Sequence, residues 1–346
     1  MRHDDDPNEA SPAVKKALYL STLAGLLLTI ALLISQGFGE ILHTLAIAGW
    51  GLLWLAPYHL LPIALDSTGW RTLLRKRAPK VRLPYLIWAA AVRDATNSLL
   101  PIFGPGGAVV GIRLLMVREV TGSAAAASVI VEGTVTLISQ FLFLATGLAL
   151  FFSRHVGTSD HGLEEAVTGL LVAVPFIVLV IALQSHAGLF RRLESVTDRL
   201  ADRLNLPGLA GSPARLHQEL RLVYAQRAVV IRSGLWQLAG LFAGAGEVWL
   251  ALYLFDHPVS VGSAILLESL GQAARTAAFV IPAGIGVQEA SFVVFGHLVG
   301  LSGEVGLAVA LAKRFRELVF GIPVLISWQW MEGRRLVARR TLDGQS

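Results

Sequence analysis

Residues 268 to 289 read Glu-Ser-Leu-Gly-Gln-Ala-Ala-Arg-Thr-Ala-Ala-Phe-Val-Ile-Pro-Ala-Gly-Ile-Gly-Val-Gln-Glu. The run is helix-like and apolar, yet it carries Glu268 and Arg275 and breaks at Pro282, Gly284 and Gly286. It is too polar for an ordinary membrane span and too apolar for a soluble loop. Charges beside a Pro/Gly break mark a place in a membrane protein where irregular backbone lines a protected cavity instead of facing lipid.

The rest of the chain supplies the membrane. Its 346 residues are 54% hydrophobic and only 15% charged, with mean hydropathy +0.62, which places it outside the range of soluble domains. It has no cysteine, so disulfides, thiolate metal sites and cysteine nucleophiles are excluded. Windows long enough to cross a bilayer, about 20 residues each, fall near 17–38, 41–65, 124–153, 166–185, 233–255 and 305–330. The first has no cleavage-site pattern and reads as a retained helix after a polar tail, 1–16.

Position explains the net charge of +5 better than nucleic acid does. Of the 29 lysines and arginines, 21 lie in four polar segments: near the N-terminus, at 71–82, at 191–232 and at 334–340. The positive-inside rule puts these on the cytoplasmic side, with both termini inside and 331–346 as a basic tail. Segment 186–232, where Arg191, Arg192, Glu194 and Arg199 interleave with leucines, reads as a cytoplasmic amphipathic linker.

Two apolar segments, 85–122 and 260–300, must each return to the side they left. The first holds Arg93 and Asn97 before a break at Pro101, Gly104, Gly106 and Gly107. A re-entrant hairpin fits that pattern. The hairpins start from opposite sides, so the expected architecture is an all-α polytopic bundle of about six spans plus two re-entrant hairpins. Together they form an inverted repeat around a midplane site.

Several polar groups inside the spans demand partners, since an intramembrane charge costs about 2.5 to 3.5 kcal/mol. Glu268, Gln272 and Arg275 share a helix face, either as an internal ion pair or as a substrate site. Ser128, Glu132, Thr136 and Ser139 form a polar stripe, and Glu247 stands out beside the packing glycines Gly240 and Gly244. Lys313, Arg314, Arg316 and Glu317 form either a headgroup-binding cluster or a set of salt bridges involving Glu289, with Lys313 and Glu317 also at pairing distance in sequence. No Walker loop, Gly-x-Ser-x-Gly elbow or His-Glu-x-x-His motif is present, and no cofactor or metal is expected.

Asn-Ser-Leu-Leu-Pro at 97–101 with Arg113, Ile-Pro-Ala-Gly-Ile-Gly-Val-Gln-Glu at 281–289, and Lys-Arg-Phe-Arg-Glu-Leu-Val-Phe-Gly at 313–321 resemble the flippase-like membrane domain of lysylphosphatidylglycerol synthases. Residues 268–279 and Ser-Gln-Phe-Leu-Phe at 139–143 are most similar to the hopanoid-associated HpnL branch. The family's Glu-Arg-Leu-Leu-Asp element is replaced by Glu132-Gly-Thr-Val-Thr, and too few residues follow 330 for an aminoacyl-transferase domain. The resemblance therefore implies lipid translocation in a bacterial inner membrane, with a hopanoid or other polar lipid as cargo and no synthase activity. A homo-oligomer or lipid-biosynthesis partners are compatible with it. The expected substrate-facing set is Arg93, Asn97, Arg113, Glu132, Glu247, Glu268, Arg275, Gln288, Glu289, Arg314, Arg316 and Glu317. A lipid-modifying enzyme using Glu289 as base, and a scaffold in which the charges only hold the bundle together, are the competing readings.

Overall fold

The computed structural model describes residues 38–100, 106–155, 213–278 and 284–343, together with Ile281 and isolated positions between 27 and 35. The described residues form helices and turns, with no strand among them. In chain order they are α1 (Phe38–Ala48), α2 (Leu55–Leu74), α3 (Leu83–Leu99), α4 (Gly106–Met116), α5 (Gly122–His155), α6 (Pro213–Tyr224), α7 (Arg227–Leu254), α8 (Val261–Ala277), α9 (Val287–Gly296) and α10 (Gly303–Asp343). A 3₁₀ segment, Gly49–Trp54, joins α1 to α2.

Three stretches are long and apolar enough to cross a membrane: Ile41–Leu74, Gly122–Phe152 and Arg227–Leu254. They coincide with the windows expected near 41–65, 124–153 and 233–255, the first running on past its window and the other two starting before theirs. The windows 17–38 and 166–185, the tail 1–16 and the first part of the 186–232 linker lie outside the described residues, apart from the isolated positions just named.

Two expected boundaries move. The linker ends earlier, because α7 begins at Arg227, preceded by the short amphipathic α6, whose Glu219 holds Arg77 at 2.5 Å. The expected tail from 331 does not begin at a helix end, because α10 continues unbroken to Asp343. The expected window 305–330 is helical, but its four charges at 313–317 keep it out of the strictly apolar class.

Small residues set the closest helix contacts. On α7, a Cβ at Gly240 would run into Asp66 and one at Gly246 into Tyr58, both on α2. On α2, a Cβ at Gly69 would sit 3.0 Å from the Ser233 carbonyl. Without these side chains the two backbones approach closely, and Tyr58 donates a hydrogen bond across the seam to the Ala243 carbonyl at 3.1 Å. One apolar core, around Trp70, Leu86, Val92, Leu114 and Leu115, joins α2 to α5. A second, around Leu55, Val248, Leu252, Phe292 and Val309, joins α2, α7, α9 and α10.

The two segments expected to form hairpins each contain a helix, a break and a shorter helix that packs back on the first. The helices are 17 and 11 residues long in α3–α4 and 17 and 10 in α8–α9, each below the roughly 20 residues a span needs. Pro101 and Gly104 of the first break and Pro282 of the second lie outside the described residues. Gly106 and Gly107 open α4, and Gly107 N–H donates to Asn97 Oδ1 at 2.9 Å. In the second break Gly284 and Gly286 have φ of 60° and 82°, a left-handed backbone that only glycine adopts cheaply. Glu289 Oε2 accepts the Gly286 N–H at 2.8 Å and so caps α9.

Gly107 faces the Arg93 carbonyl, which a Cβ would approach to 2.7 Å, whereas nothing lies within 4 Å of a Cβ at Gly133. Gly107→Ala should therefore destabilise the protein by about 1–3 kcal/mol, while Gly133→Ala should be neutral or stabilising by up to about 1 kcal/mol. Thermal unfolding of the two purified variants in one detergent checks the contrast.

Candidate functional site

Between α2, α3, α5, α7, α8, α9 and α10 lies a cavity of about 400 Å³. Its walls are polar at a depth where neighbouring helix faces pack apolar side chains. Helix α2 contributes His59 and Asp66, α3 contributes Arg93, Asp94 and Asn97, and α5 contributes Glu132 and Thr136. Gln237 and Glu247 come from α7, Glu268 and Arg275 from α8, Gln288 from α9, and Lys313 and Arg316 from α10.

Each of five cations has a glutamate of its own, and Arg314 also shares Glu317 with Arg275. Arg93 Nη1 donates to Glu132 at 2.6 Å, Lys313 Nζ to Glu268 at 2.6 Å and Arg316 Nε to Glu247 at 2.9 Å. Arg314 Nε donates to Glu289 at 2.9 Å, and Arg275 Nη1 to Glu317 at 3.2 Å. Five cations thus meet five different glutamates. A buried charge left alone in such surroundings costs several kcal/mol, and pairing with good geometry offsets most of that. Four of the five pairs involve α10. At about 100° per residue, positions 313, 314, 316 and 317 fan over roughly 160° of its circumference, so one helix turn reaches α7, α8 and α9.

This pairing differs from the sequence expectation at three points. Glu268 and Arg275 do not pair with each other, because seven residues separate them by about 10.5 Å along the axis; each finds a partner on α10 instead. Lys313 and Glu317 are likewise unpaired with one another, since Glu268 takes the lysine and both Arg275 and Arg314 take the glutamate. Arg113 does not reach the cavity. The extension of α10 brings Glu332 beside it, and the two form a two-pronged, half-exposed pair with both contacts at 3.2 Å.

The remaining expected residues fall into two groups. Arg93, Asn97, Glu132, Glu247, Glu268, Arg275, Gln288 and Arg316 line the cavity. Glu289, Arg314 and Glu317 stand behind it as the ion-pair layer that holds α9 and Arg275 in place. The polar stripe on α5 divides similarly: Glu132 and Thr136 face the cavity, whereas Ser128 accepts from Trp70 Nε1 at 3.2 Å and Ser139 donates to the Gly234 carbonyl at 3.2 Å.

Some groups escaped the sequence reading. His59 lies inside the first long span and Asp66 just beyond its expected end, so neither drew notice. Their spacing of seven on one helix was the available signal, since it puts both on one face of α2. His59 Nδ1 lies 3.0 Å from Glu247, and its Nε2 lies 3.2 Å from Asp94 and 3.0 Å from Arg316 Nη1. Asp66 Oδ1 has no hydrogen-bond partner among the described residues, nor have the amide nitrogens of Gln237 and Gln288, side chains only 3% and 2% exposed. No group of His, Asp or Glu among the described residues is placed to hold a metal ion.

The family model of the lysylphosphatidylglycerol synthase transmembrane region matches residues 22–324, which takes in every residue that lines the cavity. No match was found among curated proteins or among solved structures.

If the pairs neutralise one another, removing one partner should cost far more than removing both. Lys313→Met should destabilise the protein by about 3–5 kcal/mol by stranding Glu268, and Lys313→Met with Glu268→Gln should recover most of that loss. Unfolding free energies of the two single variants and the double variant in detergent micelles measure the coupling.

Proposed function

We propose, from the premise that the chain belongs to the lysylphosphatidylglycerol synthase transmembrane family, that this integral membrane protein translocates a lipid across a bacterial inner membrane. The observation that carries the reading is the polar cavity of about 400 Å³ at the centre of a bundle whose outer helix faces are apolar. A headgroup crosses through that cavity, and the hydrocarbon tails stay in the bilayer. In this reading both termini are cytoplasmic, and the α3–α4 and α8–α9 hairpins are re-entrant halves of an inverted repeat that meet at the cavity.

The pairing narrows the headgroup. With every arginine of the site already bound to a glutamate, the reading favours a polar, near-neutral headgroup over an anionic one. The Gln237 and Gln288 amide nitrogens have donors to spare, which suits hydroxyl or carbonyl acceptors. A hydroxylated hopanoid has that chemistry, as the likeness of 268–279 to the hopanoid-associated branch implies. The reading assigns the chain no covalent step. Glu289, the base of the enzyme alternative, is already committed to Gly286 N–H and to Arg314.

The scaffold reading draws on the same cation–glutamate pairing, and the glutamines separate the two, because a scaffold has no use for their free donors. Purified protein in liposomes carrying a fluorescent hydroxylated lipid should speed its exchange between leaflets. Gln237→Leu should slow that exchange by about tenfold, the loss of one or two hydrogen bonds to the headgroup, with thermal stability retained; Gln288→Leu should slow it likewise but also lower stability, because Gln288 Oε1 accepts from Arg275 Nη1 at 3.1 Å. Exchange at the wild-type rate in both variants would sink the assignment.

A further inference from the structure

After five cations and five glutamates are matched, two acids and one histidine of the cavity are left, and their geometry is unlike that of the pairs. Asp66 has neither an ion-pair partner among the described residues nor a hydrogen bond to Oδ1. On its α7 side it lies against Gly240, where any side chain would displace it. An intramembrane carboxylate without a cation is costly, and a proton removes the cost.

His59 has the complementary feature. Its Nε2 faces two neighbours with opposite demands, Asp94 Oδ2 at 3.2 Å and Arg316 Nη1 at 3.0 Å. A ring nitrogen either carries a hydrogen and donates, or presents a lone pair and accepts; it does not do both. Neutral His59 donates from Nδ1 to Glu247 and accepts from Arg316 through Nε2. Doubly protonated His59 donates to Glu247 and to Asp94, and Arg316 Nη1 must let go, with Asp94 Oδ2 4.0 Å away. One proton on His59 therefore exchanges a contact from α2 to α10 for a contact from α2 to α3.

The charged neighbours on every packed element are accounted for. Helix α3 presents Arg93 and Asp94 to these two groups, α5 presents Glu132 and α7 presents Glu247. Helix α10 presents Arg316, with Phe320 edge-on to the imidazole at 5.3 Å. Glu268 and Arg275 of α8 line the same cavity but are taken up by Lys313 and Glu317.

From this juxtaposition we propose that His59 and Asp66, on one face of α2, form a proton-coupling site that ties lipid movement to a proton gradient. The inference rests on the transport reading and supplies its energy source. A proton enters the cavity from the acidic side, resides on the Asp66 carboxylate or the His59 ring, and leaves to the opposite side after the helices regroup. His59 converts its presence into a change of helix contacts. No covalent bond beyond the proton's own is made or broken.

Two measurements test it. Infrared difference spectra of the protein in lipid nanodiscs, recorded across a pH change, should contain a protonated-carboxyl band that is lost in Asp66→Asn and shifted in Asp66→Glu. Retention of the wild-type band in both variants overturns the site, and the glutamate variant keeps the assignment decidable if the asparagine variant unfolds. In liposomes of phosphatidylethanolamine and phosphatidylglycerol with a tail-labelled, uncharged hydroxylated lipid as probe, and with potassium and valinomycin holding the membrane potential at zero, a gradient of one pH unit should drive about tenfold leaflet asymmetry, the limit for one proton per lipid. Asp66→Asn and His59→Gln should each bring that ratio to unity. A wild type that exchanges the probe but leaves it symmetric overturns the coupling while the transport reading stands. A wild type that moves no probe at all overturns transport, and with it the coupling, whatever the infrared band does.

Discussion

A charge placed inside a membrane is costly unless the protein pairs it, and five cations matched to buried glutamates meet that demand here. Four of them radiate from a single turn of α10, so this helix acts as a post to which α7, α8 and α9 are tied. The fifth, Arg93 with Glu132, ties the first hairpin to the long span α5. Apolar packing alone does not specify such an arrangement between helices in lipid, because lipid tails are as apolar as the side chains they would replace. The pairs instead make each helix's rotation and depth dependent on those of its partners.

The pairs also line the cavity. Glycine seams run alongside them, and Gly240 of the α2–α7 seam lines the cavity itself. Gly107 and Gly111 let α4 lie on the backbone and side chain of Arg93, and Gly284, with its left-handed backbone, packs on the Arg275 side chain. In both hairpins the glycine break thus positions an arginine. What the cavity offers a ligand is then set by the groups the pairs leave over: two glutamine amides, Asp66 and the His59 cluster.

Much of this was legible beforehand, for identifiable reasons. Long apolar runs located α2, α5 and α7, because crossing a membrane demands length and composition that nothing else imitates. Pro and Gly after Asn97 and after Ala278 located the two hairpin breaks, because glycine alone takes the φ of Gly284 and Gly286 cheaply. Glu132, Glu247, Glu268, Arg93, Arg275 and Arg316 stood out as ionisable residues where such groups are rare, and all six line the cavity. His59 drew no notice inside an apolar window, nor did Asp66 just beyond its end, and the pairing of Arg113 with Glu332 was not legible because the continuation of α10 past residue 331 carried no signal.

The sequence by itself determined that the chain lives in a membrane, where its helices break, and which side chains cannot be left facing lipid. Those are consequences of local composition, of backbone geometry and of the cost of an unsatisfied charge, all of which act residue by residue. Which cation meets which acid was decided only by the tertiary structure. Glu268 finds Lys313 45 positions away and His59 finds Arg316 257 positions away, while Arg275, two turns from Glu268 on its own helix, bonds elsewhere. Pairing depends on distances of a few ångströms between side chains from different helices. Helical periodicity states which face a residue occupies, but the neighbour across that face is settled only when all the helices pack at once.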